Sequence, residues 1–144
     1  LRNDSGLFGW WDHRSPSDSW MTAYALLGLA MAKSEGYKID DDQFKETVDV
    51  LTRMLASAKT VSSADTFALA MLSLAADVTN DAGLRTRFET LYAARDVLGP
   101  AGRATLLLAS TTFGTAEQRA ILLRNLENGA IRASDDAYGD TVHW

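Results

Sequence analysis

The sequence predicts an all-α fold, and three observations point to it. Alanine and leucine supply 41 of the 144 residues, whereas valine and isoleucine supply nine. This ratio favours helices, because β-branched side chains suit a pleated strand and Ala and Leu suit a helix. Only two prolines, Pro16 and Pro100, are present to interrupt a helix. Apolar residues also recur at helical spacing in segments that begin with good N-cap residues.

The composition and charge exclude several classes of protein. The chain has the length of one ordinary domain, and we expect residues 1–144 to form a single all-α domain, excised from a larger one. Its net charge of −5 and the lack of any basic run speak against a nucleic-acid partner. No run approaches the roughly 18 apolar residues of a membrane span. Without cysteine, the chain can form neither a disulfide nor a zinc–thiolate site.

The first two helices are predicted from their caps and apolar stripes. Asp18 is a suitable N-cap for a first helix that contains Trp20 to Ala30 and ends at Gly36. Asp40 to Asp42 open the second helix, where carboxylates favour the positive end of the helix dipole. The apolar residues of this second helix recur on one side, at Phe44, Val48, Leu51 and Leu55.

Four more helices are predicted in the rest of the chain. The third runs from about Ala64 to Val78 and is apolar nearly all round, and the fourth begins near Asp81 with apolar residues on one side. Pro100 fits the first turn of a fifth, apolar helix that reaches about Phe113. Thr115 and Gln118 have the spacing of a capping box at the start of a sixth, one-sided helix.

The predicted helices alternate between two types of apolar pattern, and a short segment of sequence recurs in them. The first, third and fifth are apolar on most faces and need partners on several sides. The second, fourth and sixth are amphipathic, with apolar residues on one side only. Segments 25–30, 70–75 and 104–109 resemble one another at offsets of 45 and 34 residues. A helical hairpin repeated at this period is typical of α-solenoids and of α/α toroids, in which outer helices surround inner ones. The repeat alone does not choose between these architectures.

An unusual loop precedes the first helix. It contains Gly6, Phe8, Gly9, Trp10 and Trp11, and three of the four tryptophans lie between positions 10 and 20. Glycines on either side of an apolar pair permit a tight turn, and aromatic rings can stack over helix ends. Two interpretations are open, a ligand-stacking site and a turn locked between helices, and we favour the structural one.

This loop and the helix after it resemble the thioester-domain region of bacterial α2-macroglobulins, a domain type shared with complement components. The resemblance rests on residues 4–11 (DSGLFGWW) and on residues 20–24 (WMTAY), which contain Trp20, Thr22 and Tyr24, and it continues to Gly36 and Tyr37. Residues 125–128 and 141–144 also resemble late parts of that domain. The Gly-aromatic turn resembles, more loosely, those of terpenoid cyclases and protein prenyltransferases, which share the α/α toroid. The resemblance therefore favours a toroid, here a partial ring of about three helical hairpins.

The resemblance implies a non-enzymatic scaffold or interaction domain in a protease trap. In this family a Cys-x-Glu-Gln motif forms an internal thioester, and cleavage of a bait region exposes it to the attacking protease. This chain has no Cys, so any such group lies outside these residues. The implied partners are the other domains of the parent chain and, through them, target proteases, at a periplasmic or cell-surface location. Neither a cofactor nor a metal is implied.

His13 is the residue of the loop with a conceivable catalytic role. In some complement components a His in the corresponding loop attacks the thioester and carries the acyl group, a role that suits a neutral imidazole. The spacing from Phe8 is shorter in this sequence, and we favour an exposed loop residue without a chemical role.

The other polar candidates have weaker patterns. His143 and Asp140 lack a third ligand type beside them, so no metal site is predicted. The acidic run at 40–42 does not match the Asp-x-Asp-Asp motif of class II terpenoid cyclases, and without Cys a prenyltransferase zinc site cannot form. Asp135 and Asp136 are predicted to be solvated turn residues.

Three functional classes therefore stay open. The protease-trap domain is favoured, an enzyme of the prenyltransferase or terpenoid-cyclase type is the main alternative, and a helical scaffold that binds another protein is the third. A partial ring would leave apolar helices without neighbours at its ends, so we also expect the chain to self-associate.

Overall fold

The computed structural model describes Arg2, Gly6–Phe8, residues 18–135 and residues 139–143, with side chains of the main segment described as far as Ala130. No helix in these ranges combines the length and the hydropathy needed to cross a lipid bilayer. The all-α prediction is confirmed, and a short hairpin follows the helices. The elements are α1 Ser19–Ser34, α2 Asp41–Ser57, α3 Ser63–Ala75, α4 Ala82–Ala93, a 3-10 turn Arg95–Val97, α5 Pro100–Phe113, α6 Ala116–Gly129, β1 Ile131–Asp135 and β2 Gly139–His143.

Helices α1, α2 and α4 begin directly after the predicted N-cap residues. The carboxylates of Asp18, Asp40 and Asp81 each accept a hydrogen bond from the backbone N–H three residues later. Each of these bonds satisfies a donor that the first helical turn leaves without a partner. α5 runs from Pro100 to Phe113 as predicted, and α6 opens with the predicted capping box.

Two helix ends show how the backbone leaves a helix. α1 ends at a Schellman motif, in which the N–H of Tyr37 donates to the Ala32 carbonyl and the N–H of Gly36 donates to the Lys33 carbonyl. Gly36 has a φ of +87°, a conformation that favours glycine. α3 ends three residues before the predicted Val78, because Ala76 adopts extended backbone angles.

The helices pack in two layers. α3 lies between α1 and α5, and these three, here called the inner helices, form one layer. α2 and α4, the outer helices, pack against each other and against the inner layer, while α6 packs along α5. Each inner helix has a single charged residue, whereas α2 has six and α4 has three. The predicted alternation of apolar and one-sided helices therefore corresponds to two layers.

The hydrophobic core fills the space between these layers. Its fully buried large side chains include Phe88 and the leucines at 26, 51, 55, 69, 72, 84, 91, 106 and 122. Burying one such side chain contributes about 1.5–3 kcal/mol. The Phe88 ring also lies 6.3 Å from the Phe113 ring, so α4 and α5 share an aromatic contact.

A β-hairpin follows α6 and was not predicted. The strands are antiparallel, with Ile131 opposite His143 and Asp135 opposite Gly139. The prediction that Asp135 is a turn residue is wrong, because this residue pairs as the last one of β1; Asp136 lies outside the described residues. A five-residue strand offers too few positions for alternation to be recognised in a sequence.

Candidate functional site

A threonine of α1 holds the N-terminal turn in place. The backbone N–H of Phe8 donates to Thr22 Oγ1 at 2.9 Å, and the same hydroxyl lies 3.3 Å from the Phe8 carbonyl, to which it donates. Thr22 is fully buried. The Phe8 carbonyl also accepts from the backbone N–H of Asp18 at 3.3 Å. The two motifs that carry the family resemblance are therefore joined by direct hydrogen bonds.

A second threonine, on α2, holds the other side of the turn. Thr47 is buried, and its hydroxyl donates a hydrogen bond to the Gly6 carbonyl oxygen at 2.9 Å. Arg2 Nε donates to the same hydroxyl at 3.4 Å, and the Arg2 guanidinium forms an ion pair with Glu46. Leu7, between the two anchored residues, is buried. The turn thus connects α1 to α2 through backbone atoms of Gly6 and Phe8.

The rest of the predicted loop site lies outside the described residues. This applies to Gly9, Trp10, Trp11 and His13. The acyl-transfer hypothesis for His13 and the stacking of the two tryptophans stay predictions.

Trp20 connects the first two inner helices through its ring. The ring stacks on Tyr24 of the same helix, with centroids 5.6 Å apart, and on Phe67 of α3, with centroids 4.9 Å apart. A cavity of about 220 Å³ lies beside this stack, with walls from all three inner helices: Trp20, Ser63, Ala64, Phe67, Ala101 and Thr105. These residues all lie in the first two turns of their helices, so the three inner helices run in the same direction.

Among the described residues, the inner helices present uncharged side chains around this cavity and on the turns beyond it, a surface here called the inner face. Besides the cavity residues it contains the exposed apolar side chains Tyr24, Met31, Leu74 and Leu108. The charged residues of the inner helices have partners elsewhere. Lys33 pairs with Asp41, Asp65 pairs with Arg87, and Arg103 Nε donates to the Arg95 carbonyl at 3.1 Å.

The most deeply buried charged residue among the described side chains, Arg87 of α4, was missed by the sequence analysis. Its guanidinium donates to the Ala58 carbonyl at 3.2 Å and to the Thr60 carbonyl, and it pairs with Asp65. Arg87 lies beside Phe88 on the buried side of α4. A charged residue on an otherwise apolar stripe is the signal that could have identified it.

Two other hollows have charged residues in their walls. One of about 320 Å³ lies beside the turn and includes Arg2, Phe8, Lys38 and Phe44. Another, of about 370 Å³, contains three aspartates, at 49, 77 and 81. The Asp81 carboxylate caps α4, and no three His, Cys, Asp or Glu side chains in the described part of the chain are placed to share a metal ion. The predicted lack of a metal site at His143 is not tested, because that side chain lies outside the described ones.

Comparisons of the chain with protein-family models, with curated proteins and with solved structures found no match.

Proposed function

We propose that this chain is part of the thioester-type domain of a bacterial α2-macroglobulin-like protein, where it serves as a scaffold and interaction domain in protease trapping. The observation that carries the proposal is the reciprocal contact between Phe8 and Thr22. These residues belong to the two separate motifs on which the resemblance rests.

The contact supports the resemblance because it joins the two motifs in one local structure, the turn held against α1. A threonine hydroxyl can accept from the Phe8 N–H and donate to the Phe8 carbonyl at the same time, and few side chains can do both. Gly6 supplies the other requirement, because its φ of +82° is disfavoured for residues with a Cβ. Gly, Phe and Thr at these spacings therefore form one unit.

The helix layers support the toroid part of the proposal. Apolar helices α1, α3 and α5 lie side by side, and the more charged α2 and α4 lie outside them. Three such hairpins suit an arc of an α/α toroid, whose remaining helices and neighbouring domains would be partners in the parent chain. The domain would then position other parts of the trap and carry out no chemistry of its own in these residues.

Trapping can be tested with the full-length parent protein and a panel of endopeptidases. A trapped protease is enclosed, so we expect it to lose activity on casein and keep most of its activity on a small chromogenic peptide. Equal loss on both substrates would indicate active-site inhibition, and full activity on both would indicate no trapping. Either result would contradict the proposal.

The role of the turn is tested by Thr22→Val in the same parent protein. We expect reduced trapping, because valine keeps the shape of threonine and removes both hydrogen bonds to Phe8. Thr86→Val is the matched control, since Thr86 is exposed on α4 and bonds only within its helix. Equal trapping by both variants would mean that the turn does not serve the function.

The His13 hypothesis has its own experiment. The parent and its His13→Ala variant are treated with protease in the presence of labelled glycerol, and covalent ester formation is measured. A large loss in the variant would support an acyl carrier. Equal labelling would remove that role and leave the scaffold proposal unchanged.

A further inference from the structure

The hairpin of α5 and α6 repeats the hairpin of α3 and α4 at a distance of 34 residues. Segment 104–109 corresponds to segment 70–75, and the N-cap of α6, Thr115, corresponds to the N-cap of α4, Asp81. α3 packs against two inner helices, α1 and α5, whereas the described part of the chain gives α5 one inner neighbour, α3. Each position on α5 can therefore be compared with an equivalent position on α3, which has both neighbours.

One side of α3 is covered by α5. The hydroxyl oxygens of Thr66 and Thr105 lie 2.8 Å apart across this interface. Ala70 lies one turn after Thr66 and therefore on the same side of α3, and both residues are fully buried. Because the distance between two helix axes depends on the side chains at the contact, a small residue such as Ala70 favours a close approach, at roughly 8–10 Å.

The equivalent side of α5 is open. Its residues at the corresponding positions, Pro100 and Ala104, are both exposed. With Ala101 and with Leu126 of α6 they line a hollow of about 560 Å³, and all the described lining residues are apolar. Arg103, the charged residue of α5, binds carbonyl groups of the 3-10 turn instead. A surface that is buried in one repeat is thus exposed and apolar in the next.

We propose that a further apolar helix of the parent chain packs along this side of α5, parallel to it, as α5 packs along α3. The inference rests on the proposed function, because it takes the partner from the same ring. The occupant is a helix because the hollow continues the interface between α3 and α5 by one repeat, and hairpin repeats bury their cores by stacking on one another. Ala104 stands where Ala70 permits close approach, and the described lining has no charge to attract an ionic partner.

The shape of the hollow specifies what the partner helix presents. Two alanines, one proline and one leucine form its described walls. Packed interiors leave few voids larger than a water molecule, so large apolar side chains of the partner fill the space that these small residues leave. Such side chains would recur three and four positions apart along one side of the partner helix.

Thiol accessibility in the full-length parent protein tests whether this side of α5 is covered. The Ala104→Cys and Ala120→Cys variants are treated with a maleimide, and modification is measured on the peptide that contains each position, relative to the urea-unfolded protein. Both alanines are exposed in this chain, and so is Thr86, which corresponds to Ala120 in the preceding repeat.

We expect the Ala104→Cys thiol to react at least about tenfold more slowly than the Ala120→Cys thiol, because a buried thiol reacts only when its packing opens locally. The Ala120 position should stay accessible, since the corresponding Thr86 is exposed although its own repeat has neighbours on both sides. Equal protection of the two thiols, or rapid reaction of both, would overturn the proposal.

A photoreactive residue identifies what covers the hollow. In the parent protein p-benzoylphenylalanine replaces Leu126, the wall that α6 contributes, and the linked peptides are identified by mass spectrometry after irradiation. We expect a link within the same chain, to an apolar helical segment of the same domain. The same replacement at Leu123, which is 48% exposed, should give no link to that segment. A link to a second copy or to another domain, or no link at all, would overturn the proposal.

Neither readout depends on protease trapping. A parent that protects the Ala104 position and traps no protease would refute the proposed function and leave the helix contact standing. A parent that traps proteases while the Ala104 position reacts freely would refute this inference alone.

Discussion

The guanidinium group of Arg87 lies 3.1 Å from the carboxylate of Asp65, and their side chains are only 2% and 13% exposed. The same guanidinium donates to the carbonyls of Ala58 and Thr60, in the connection between α2 and α3. One side chain of an outer helix therefore holds a connecting loop and the first turn of an inner helix. Because Asp65 is the charged residue of α3, this pair also keeps charge away from the inner face.

Arg87→Ala should lower the free energy of unfolding by about 3–5 kcal/mol, because the largely buried Asp65 carboxylate loses its ion-pair partner and two carbonyl groups lose their donor. Urea unfolding followed by circular dichroism measures the change. Arg53→Ala is the control, since Arg53 is exposed on α2, and it should change stability by less than about 0.5 kcal/mol. Similar losses in the two variants would contradict a structural role for the buried pair.

Thr22→Val should destabilise the chain by about 1–2 kcal/mol, because the Phe8 N–H loses its acceptor. Hydrogen exchange at the Phe8 amide should accelerate more in this variant than exchange at amides in the middle of α3, whose protection falls only with global stability. Thr22→Ser retains the hydroxyl and should preserve protection of Phe8. If the serine variant exchanges as fast as the valine variant, packing of the methyl group holds the turn.

Two glycine substitutions should have opposite effects. Gly6→Ala should cost about 1–2 kcal/mol, because a Cβ is disfavoured at the Gly6 φ of +82°. Gly28→Ala should stabilise by about 0.5–1 kcal/mol through helix propensity, since nothing lies within 4 Å of the added Cβ in the monomer. Thermal unfolding at low protein concentration compares the two. A shift of both midpoints in the same direction would contradict this assignment of backbone conformation.

Thr66 and Thr105 should be energetically coupled, because their hydroxyl oxygens lie 2.8 Å apart between α3 and α5. A double-mutant cycle with Thr66→Val and Thr105→Val should give a coupling free energy of about 0.5–1.5 kcal/mol. A second cycle, with Thr66→Val and the exposed Thr111→Val, should give a value near zero. Equal values in the two cycles would show that the hydroxyl contact contributes nothing specific.

The caps and helix boundaries could be predicted because they depend on neighbouring residues. Asp18, Asp40 and Asp81 each bind a backbone N–H only three positions away. The hairpin at β1 and β2 was missed because five-residue strands show little periodicity, although the β-branched residues Thr141 and Val142 were a weak signal. Burial of Arg87 and Thr47 was missed because a polar residue on an apolar stripe can turn to solvent or find a partner, and only the neighbouring elements decide which.

The amino-acid sequence alone determined the helical class, the helix starts and the separation into apolar and one-sided helices, because these follow from local hydrogen bonds and from periodicity. The tertiary structure decided which distant residues meet. Phe8 and Thr22 are 14 positions apart, Gly6 and Thr47 are 41 apart, and Thr66 and Thr105 are 39 apart. Such contacts, and the inner face with its hollow, depend on how the helices are placed side by side, and many sequences with the same local pattern could place them differently.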